Sequence, residues 1–114
     1  MRKTSTSSVR IFYPRFDTPW LVRALRARIG RLGALLPLRR VVLFGSYATG
    51  RYTVGSDVDL LVVYQGEPRP DAYALVKRTL NIRGLEPHLY TEAECEALDS
   101  TVARMVETGV EIPL

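Results

Sequence analysis

The chain has 114 residues, of which 46% are hydrophobic and 25% charged, a composition typical of one globular domain. Its longest apolar run, residues 60–64, is far shorter than the roughly 20 residues of a membrane helix, and no apolar secretory signal follows the basic N-terminus. We therefore expect no membrane partner. A single cysteine, Cys95, excludes an intramolecular disulfide and predicts a cytoplasmic location.

The net charge of +4 is unevenly distributed along the chain. Residues 1–40 carry ten Lys or Arg and one acid, whereas residues 41–114 carry six Lys or Arg and eleven acids. A basic region of this kind is compatible with a nucleic acid, a nucleoside triphosphate or an acidic partner. Charge alone does not choose among these three partners, so direct binding of nucleic acid stays an open alternative. We expect residues 1–16 to be a flexible basic segment and 17–114 to be a single domain.

The first predicted element is a helix that begins at Asp17, with Pro19 in its first turn, and ends at Pro37. Its basic side chains lie off an apolar stripe with helical spacing. The stripe comprises Leu21, Leu25, Ile29, Leu32 and Leu36.

Two strands are predicted next, over 41–44 and 57–64, separated by a short helix or turn over 46–51 and a loop over 52–56. A Pro- and Gly-containing breaker precedes a second long helix over 71–81 and a third strand over 85–90.

The final helix starts at a capping box, Thr91 with Glu94, and runs to about Glu107, with Gly109 beyond its end. The order of elements predicts an α/β (α+β) fold, in which helices cover a short mixed sheet. It leaves the strand order open.

Two carboxylates, Asp57 and Asp59, are two positions apart in the second strand and therefore leave the same face of it. Like charges at this spacing resist joint ionisation unless a cation lies between them. Mg²⁺ suits such a site because it takes carboxylate, water and phosphate oxygens.

A phosphate-sized turn precedes those carboxylates. Gly45 allows close approach of the backbone to a ligand, and Ser46 offers a hydroxyl and an N–H at the start of the next turn, an arrangement that favours anions. An ordinary turn would explain Gly45-Ser46 alone, but its place ten residues ahead of two aspartates favours phosphate binding.

A two-metal phosphoryl-transfer site usually needs a third carboxylate. Glu86 is the candidate because it enters the third apolar strand, although a surface glutamate at a strand edge would give the same pattern. His88 shares its face and could ligate, orient or contact nucleotide. A lone histidine is more often a hydrogen-bonded partner, which is the default interpretation.

Two stretches of the sequence contain the glycine turn and the aspartate pair: Leu43-Phe44-Gly45-Ser46-Tyr47-Ala48-Thr49-Gly50-Arg51 and Ser56-Asp57-Val58-Asp59-Leu60-Leu61-Val62. Together they resemble the signature of the polymerase-β-type nucleotidyltransferase superfamily. In particular, the sequence is similar to the minimal nucleotidyltransferases of bacteria and archaea, and the resemblance extends from about residue 17 to the C-terminus. It implies a palm-like domain whose sheet carries the catalytic face.

The resemblance also implies roles for individual residues. Asp57 and Asp59 would bind two Mg²⁺ ions during catalysis, with Glu86 as the third catalytic and metal-binding carboxylate. The triphosphate of ATP or another nucleoside triphosphate would lie on Gly45 and Ser46. Further contacts to the nucleotide would come from Ser56 and Arg51.

Members of this superfamily transfer a nucleoside monophosphate to a hydroxyl and release pyrophosphate. Minimal members are often paired with a helical HEPN-domain toxin, which they adenylylate on tyrosine as antitoxins. The resemblance therefore implies a protein adenylyltransferase with a HEPN-type partner. A binding module that neutralises its partner by contact, and transfer to RNA or a small molecule with help from a partner chain, are the alternatives. A homo- or hetero-oligomer fits each of them.

Two departures from the superfamily pattern bear on the site. Thr49 stands where many relatives carry a basic residue, and Arg51 is a possible substitute. Glu86 replaces the commoner aspartate and is followed by Pro87, which lacks a backbone N–H and so predicts an edge strand.

Overall fold

A computed structural model describes residues 16–114 as a four-stranded mixed sheet flanked by helices. The elements in chain order are α1 (Thr18–Leu35), β1 (Leu38–Phe44), α2 (Ser46–Thr49), β2 (Val58–Tyr64), α3 (Ala72–Leu80), β3 (Leu85–Thr91), α4 (Glu92–Ala97), α5 (Asp99–Glu107) and β4 (Val110–Glu111). The predicted α/β architecture is confirmed. In the described part of the chain, every helix is too short or too polar to cross a membrane. The segment expected to be flexible lies outside it, apart from Phe16, which stacks on Trp20.

The sheet has the strand order β3-β2-β1-β4. Strand β2 pairs antiparallel with β1 and parallel with β3, and β4 is antiparallel to β1. The parallel pair requires a crossover, which α3 provides. Strand β3 lies at an edge of the sheet, as Pro87 predicted.

Helix α1 forms where its sequence signals place it. The Asp17 carboxylate accepts a hydrogen bond of 2.9 Å from the Trp20 N–H, which caps the first turn. All five residues of the predicted apolar stripe are buried. The helix ends at Leu35, and Pro37, which has no N–H to donate, follows at the turn into β1.

The two faces of the sheet are covered unequally. We call the face under α1 and α3 the covered face; it contributes to a cluster of 19 buried residues. The opposite, partly covered face contributes to a cluster of only four: Val42, Leu61, Val63 and Val102. Val102 comes from α5, so that helix shields the middle of this face.

The prediction of one long C-terminal helix is wrong. The chain breaks at Leu98 (φ −110°, ψ 34°) into α4 and α5. The capping box at Thr91 is confirmed, since both of its hydrogen bonds are present. The break redirects α5 so that Val102 reaches the sheet.

A further strand, β4, follows α5 and was not predicted. Gly109 follows the end of α5 as predicted, but its φ is not positive. A Cβ on Gly109 would lie 2.5 Å from Val42 Cγ1, so this glycine permits close packing of the chain on β1 rather than a left-handed turn.

Candidate functional site

Asp57 and Asp59 lie at the uncovered start of β2. Val58 and Leu60 are fully buried in the covered-face cluster. Asp59 therefore points to the opposite, partly covered face, as the alternation of strand side chains requires. Asp57 immediately precedes the strand and is exposed, whereas the Asp59 side chain is 30% exposed. Both carboxylates are accessible to a ligand from solvent.

The turn at Gly45 packs directly against Asp59. Phe44 pairs with Asp59 across the antiparallel strands β1 and β2, which brings the end of one strand beside the start of the other. Gly45 has φ 77° and ψ −152°, a conformation essentially restricted to glycine. A Cβ at Gly45 would lie 2.5 Å from Asp59 Oδ2. The predicted phosphate turn and one predicted metal ligand are thus in van der Waals contact.

Ser46 begins the short helix α2 directly after that turn. Tyr47 from this helix is buried and stacks on Tyr52 with ring centroids 4.4 Å apart. The Thr18 hydroxyl donates a hydrogen bond of 2.6 Å to the Tyr47 carbonyl, which ties α2 to α1. These contacts hold the turn in place next to Asp59.

The other two predicted nucleotide contacts, Ser56 and Arg51, lie in the segment between α2 and β2. The Ser56 Oγ accepts a hydrogen bond of 2.8 Å from the Thr53 N–H, and the Ser56 N–H donates to the Thr53 carbonyl at 3.1 Å. Ser56 therefore closes the turn that delivers Asp57 to the strand. The Arg51 side chain is exposed and forms no salt bridge within residues 16–114.

Glu86 lies opposite Asp59 in the parallel register of β2 and β3. Its carboxylate accepts a hydrogen bond of 3.1 Å from the Tyr73 hydroxyl on α3. That bond raises the pKa of Tyr73, since it favours the protonated phenol beside a carboxylate. Lys77 on the same helix donates a hydrogen bond of 2.8 Å to the Leu85 carbonyl. Backbone register aligns Glu86 with Asp59, but its side chain engages α3.

His88 is the β3 side chain that contacts Asp59. The distance from His88 Nε2 to Asp59 Oδ1 is 3.3 Å, and the two side chains are 33% and 30% exposed. Phe44 packs edge-on against the imidazole, with ring centroids 4.9 Å apart. His88 is thus within hydrogen-bonding distance of one of the predicted metal ligands.

Residues 23–110 match the family model described as Nucleotidyltransferase domain. The chain belongs to the nucleotidyltransferase domain family. The match covers most of the chain, including the turn, the aspartate pair and β3, so the domain is a transferase by family. No curated protein shows a significant match to the sequence.

Several solved structures resemble this nucleotidyltransferase domain, and three of them are compared with it. One, described as a nucleotidyltransferase from Sulfolobus solfataricus, has a TM-score of 0.58 and 22% identity over 82% of this chain and 80% of its own. A toxin–antitoxin structure with AMP-PNP gives 0.53 and 20% over 86% and 73%. A mutant of the toxin–antitoxin pair MntA-HpeT, with two aspartates changed to glutamate, gives 0.52 and 17% over the same shares. At such identities the likeness establishes the fold.

The donor set of the nucleotidyltransferase domain fits a divalent cation that is completed by substrate. Within residues 16–114, no three His, Cys, Asp or Glu side chains are grouped closely enough to hold a metal by themselves. Asp57 and Asp59 nevertheless present accessible carboxylate oxygens beside the Gly45 turn. Mg²⁺ in phosphoryl-transfer sites is commonly bound by one or two carboxylates together with substrate phosphates and water.

Two contacts of the site were missed from the sequence. Tyr73 lies on the exposed side of a predicted helix, and no motif links it to Glu86. Phe44 ends an apolar strand and reads as core, although it also supports His88. Alternation in β3 places Glu86 and His88 on one face, so the sequence carries no signal for which of the two side chains meets Asp59.

Proposed function

We propose that this domain is a Mg²⁺-dependent nucleotidyltransferase that moves AMP from ATP to a hydroxyl of a partner protein. The partner is a helical HEPN-type toxin, and the domain is its antitoxin. Family membership supports the transferase chemistry. The toxin–antitoxin context is supported by two fold neighbours, one of them with AMP-PNP. The proposal includes a cytoplasmic complex, where the Cys95 thiol stays reduced.

The contact between Gly45 and Asp59 carries this proposal. A backbone turn with exposed N–H groups attracts phosphate oxygens, and a carboxylate attracts a cation. The two are packed so closely that a Cβ would not fit between them. A triphosphate on the Gly45-Ser46 turn would therefore present its oxygens to a cation held by Asp59. A turn and a carboxylate with unrelated roles at the surface would not need to be in contact.

In the proposed reaction, the acceptor oxygen forms a bond to the α-phosphorus, and the bond from that phosphorus to the pyrophosphate oxygen breaks. The chain orients the reactants and supplies charge, which is the main contribution of protein to phosphoryl transfer. Asp57 and Asp59 would hold two Mg²⁺ ions, and metal bound there would offset phosphate charge and lower the pKa of the acceptor hydroxyl. Glu86, released from Tyr73, would accept the proton of that hydroxyl, or would complete the site while the proton passes to solvent. Ser56 and Arg51 steady the nucleotide.

Labelled-nucleotide transfer to a co-expressed helical partner tests the proposal. We expect Asp57→Asn to reduce labelling at least about a hundredfold, since bound metal contributes several kcal/mol and about 1.4 kcal/mol corresponds to tenfold. Asp71→Asn is the matched control, because Asp71 is exposed and paired with Arg69 away from the site. Equal labelling by the Asp57→Asn and Asp71→Asn proteins would contradict catalysis by this site. Label on RNA or on a small molecule would support the transferase activity but would show that the acceptor is not a partner protein.

A second candidate function, neutralisation by contact, is favoured by the charge of the helices on the covered face. Helices α1 and α3 contain six Lys or Arg and no acid. Among these, Arg23, Arg26, Arg31 and Arg78 are exposed and form no salt bridge within the described residues. Such a surface suits an acidic partner. Full neutralisation by an Asp59→Ala protein that cannot transfer nucleotide would favour this function.

A further inference from the structure

The position expected for a third carboxylate near Asp59 is occupied by an imidazole. His88 Nε2 lies 3.3 Å from Asp59 Oδ1. The carboxylate of Glu86 is instead bonded to Tyr73 at 3.1 Å. Both β3 side chains alternate onto the partly covered face, so the difference is one of side-chain direction. The group nearest the aspartate is a nitrogen donor.

The separation of His88 and Asp59 matches that of two ligands on one cation. Ligand atoms about 2.1 Å from an ion are about 3.0 Å apart at an octahedral angle and about 3.4 Å apart at a tetrahedral angle. The observed 3.3 Å lies between these values. Each side chain is about one-third exposed, at 33% and 30%, so an ion could enter without opening the core.

The imidazole is also held in a defined orientation. The Phe44 ring packs edge-on against it at a centroid distance of 4.9 Å. Phe44 comes from β1 and pairs with Asp59 in the register of the sheet. The histidine, the aspartate and their aromatic support thus come from three adjacent strands. Ligands carried on strands are positioned more precisely than ligands on loops.

We propose that His88 is the β3 ligand of the cation held by Asp59, which leaves Glu86 as the proton acceptor of the proposed reaction, and that this position binds a first-row transition ion more tightly than Mg²⁺, with Mn²⁺ as its paramagnetic probe. The proposal rests on the cation site of the proposed function, in which a second ion, Mg²⁺, accompanies the nucleotide phosphates. Imidazole suits transition ions, whereas Mg²⁺ prefers oxygen donors. A ligand set of one imidazole nitrogen and carboxylate oxygens therefore changes the metal preference at Asp59. The Mg²⁺ ion that accompanies the nucleotide phosphates is unaffected.

Electron paramagnetic resonance of Mn²⁺ added to the purified full chain tests this proposal without any activity measurement. In the electron spin echo of bound Mn²⁺, we expect a modulation caused by the nitrogen of one coordinated imidazole. This modulation should be absent in His88→Ala. We also expect His88→Ala to weaken Mn²⁺ binding at least about tenfold and Mg²⁺ binding, measured by competition, about twofold or less. Glu86→Gln tests the rival ligand on the same strand, and Asp71→Asn, at an exposed residue paired with Arg69, is the control that should bind Mn²⁺ like the unaltered chain.

The possible outcomes separate this inference from the proposed function. Mn²⁺ binding that depends on Asp59 but shows no nitrogen modulation would overturn the role of His88 and leave the carboxylate site intact. Loss of Mn²⁺ binding in Glu86→Gln, with His88→Ala unaffected, would assign the ligand to Glu86 instead. Unchanged Mn²⁺ binding in both Asp57→Asn and Asp59→Asn would contradict the cation site itself. The nitrogen signal of the unaltered chain decides the question even if His88→Ala fails to fold.

Discussion

The covered and partly covered faces of the sheet differ in how many buried side chains they contribute and in which candidate site residues they carry. The covered face, under α1 and α3, belongs to the 19-residue cluster of buried side chains. The partly covered face shares a cluster of four and carries Asp59 and His88, whose side chains are about one-third exposed. Because burial of apolar area is the main favourable term in folding, the covered face can supply most of the stability. The other face is then free to keep charged side chains exposed to a ligand.

Truncation of adjacent leucines in β2 tests this division most directly. Leu60 and Leu61 are both fully buried but point to opposite faces. We expect Leu60→Ala to lower the free energy of unfolding by about 3–5 kcal/mol and Leu61→Ala by about 2–3 kcal/mol, because the smaller cluster can collapse around the cavity more easily. Urea denaturation of the two variants measures the difference. An equal or larger loss for Leu61→Ala would mean that both faces contribute alike.

Substitution of Gly45 tests how much the packing of its turn against Asp59 contributes on the partly covered face. Gly45 and Gly50 have similar φ values of 77° and 79°, but only at Gly45 would a Cβ meet Asp59. We expect Gly45→Ala to cost about 2–3 kcal/mol in unfolding free energy and to reduce nucleotidyl transfer at least about tenfold. Gly50→Ala should cost only about 1 kcal/mol, the backbone contribution. Similar transfer rates for the two variants would show that the contact with Asp59 is not needed.

Helix caps should matter more on the partly covered face than on the covered one. Helix α4 has no buried residue and relies on the capping box at Thr91, whereas the 18-residue α1 is also held by four buried side chains. We expect Thr91→Ala to cost about 1–2 kcal/mol and Asp17→Ala about 0.5–1 kcal/mol. Denaturant unfolding and amide exchange in α4 report the effect. Thr91→Ser keeps the capping oxygen and should restore most of the loss, and failure to do so would point to packing of the Thr91 methyl group.

The smallest effect is expected at the surface ion pair that ties α4 to β1. Arg39 and Glu92 are 3.0 Å apart, and their side chains are 55% and 42% exposed. Exposed pairs of this kind contribute less than about 1 kcal/mol. Glu92→Gln should therefore change the unfolding free energy within that limit, and the change should shrink in high salt. A larger, salt-independent loss would show that this contact anchors α4 on the partly covered face.

Local patterns of sequence were sufficient to predict most elements and to name the candidate site residues. The cap at Asp17, the apolar stripe of α1 and the capping box at Thr91 depend on neighbours within one or two helical turns, and all are found as predicted. The Gly45-Ser46 turn and Asp59 were likewise evident, because strand alternation and turn chemistry are local. Their direct contact follows from the antiparallel pairing of β1 with β2.

Tertiary structure decided the strand order, the break at Leu98 and the partners of the β3 side chains. No Gly or Pro marks the break; the chain turns there because Val102 packs against the sheet, a contact with residues far away in sequence. Strand β4 has only two residues, too few for a periodic signal. Glu86 and His88 are indistinguishable by alternation, and only the positions of Tyr73 and Asp59 direct one to α3 and the other to the aspartate. The sequence by itself determined which residues can carry the chemistry, and the packing of distant elements decided which of them meet.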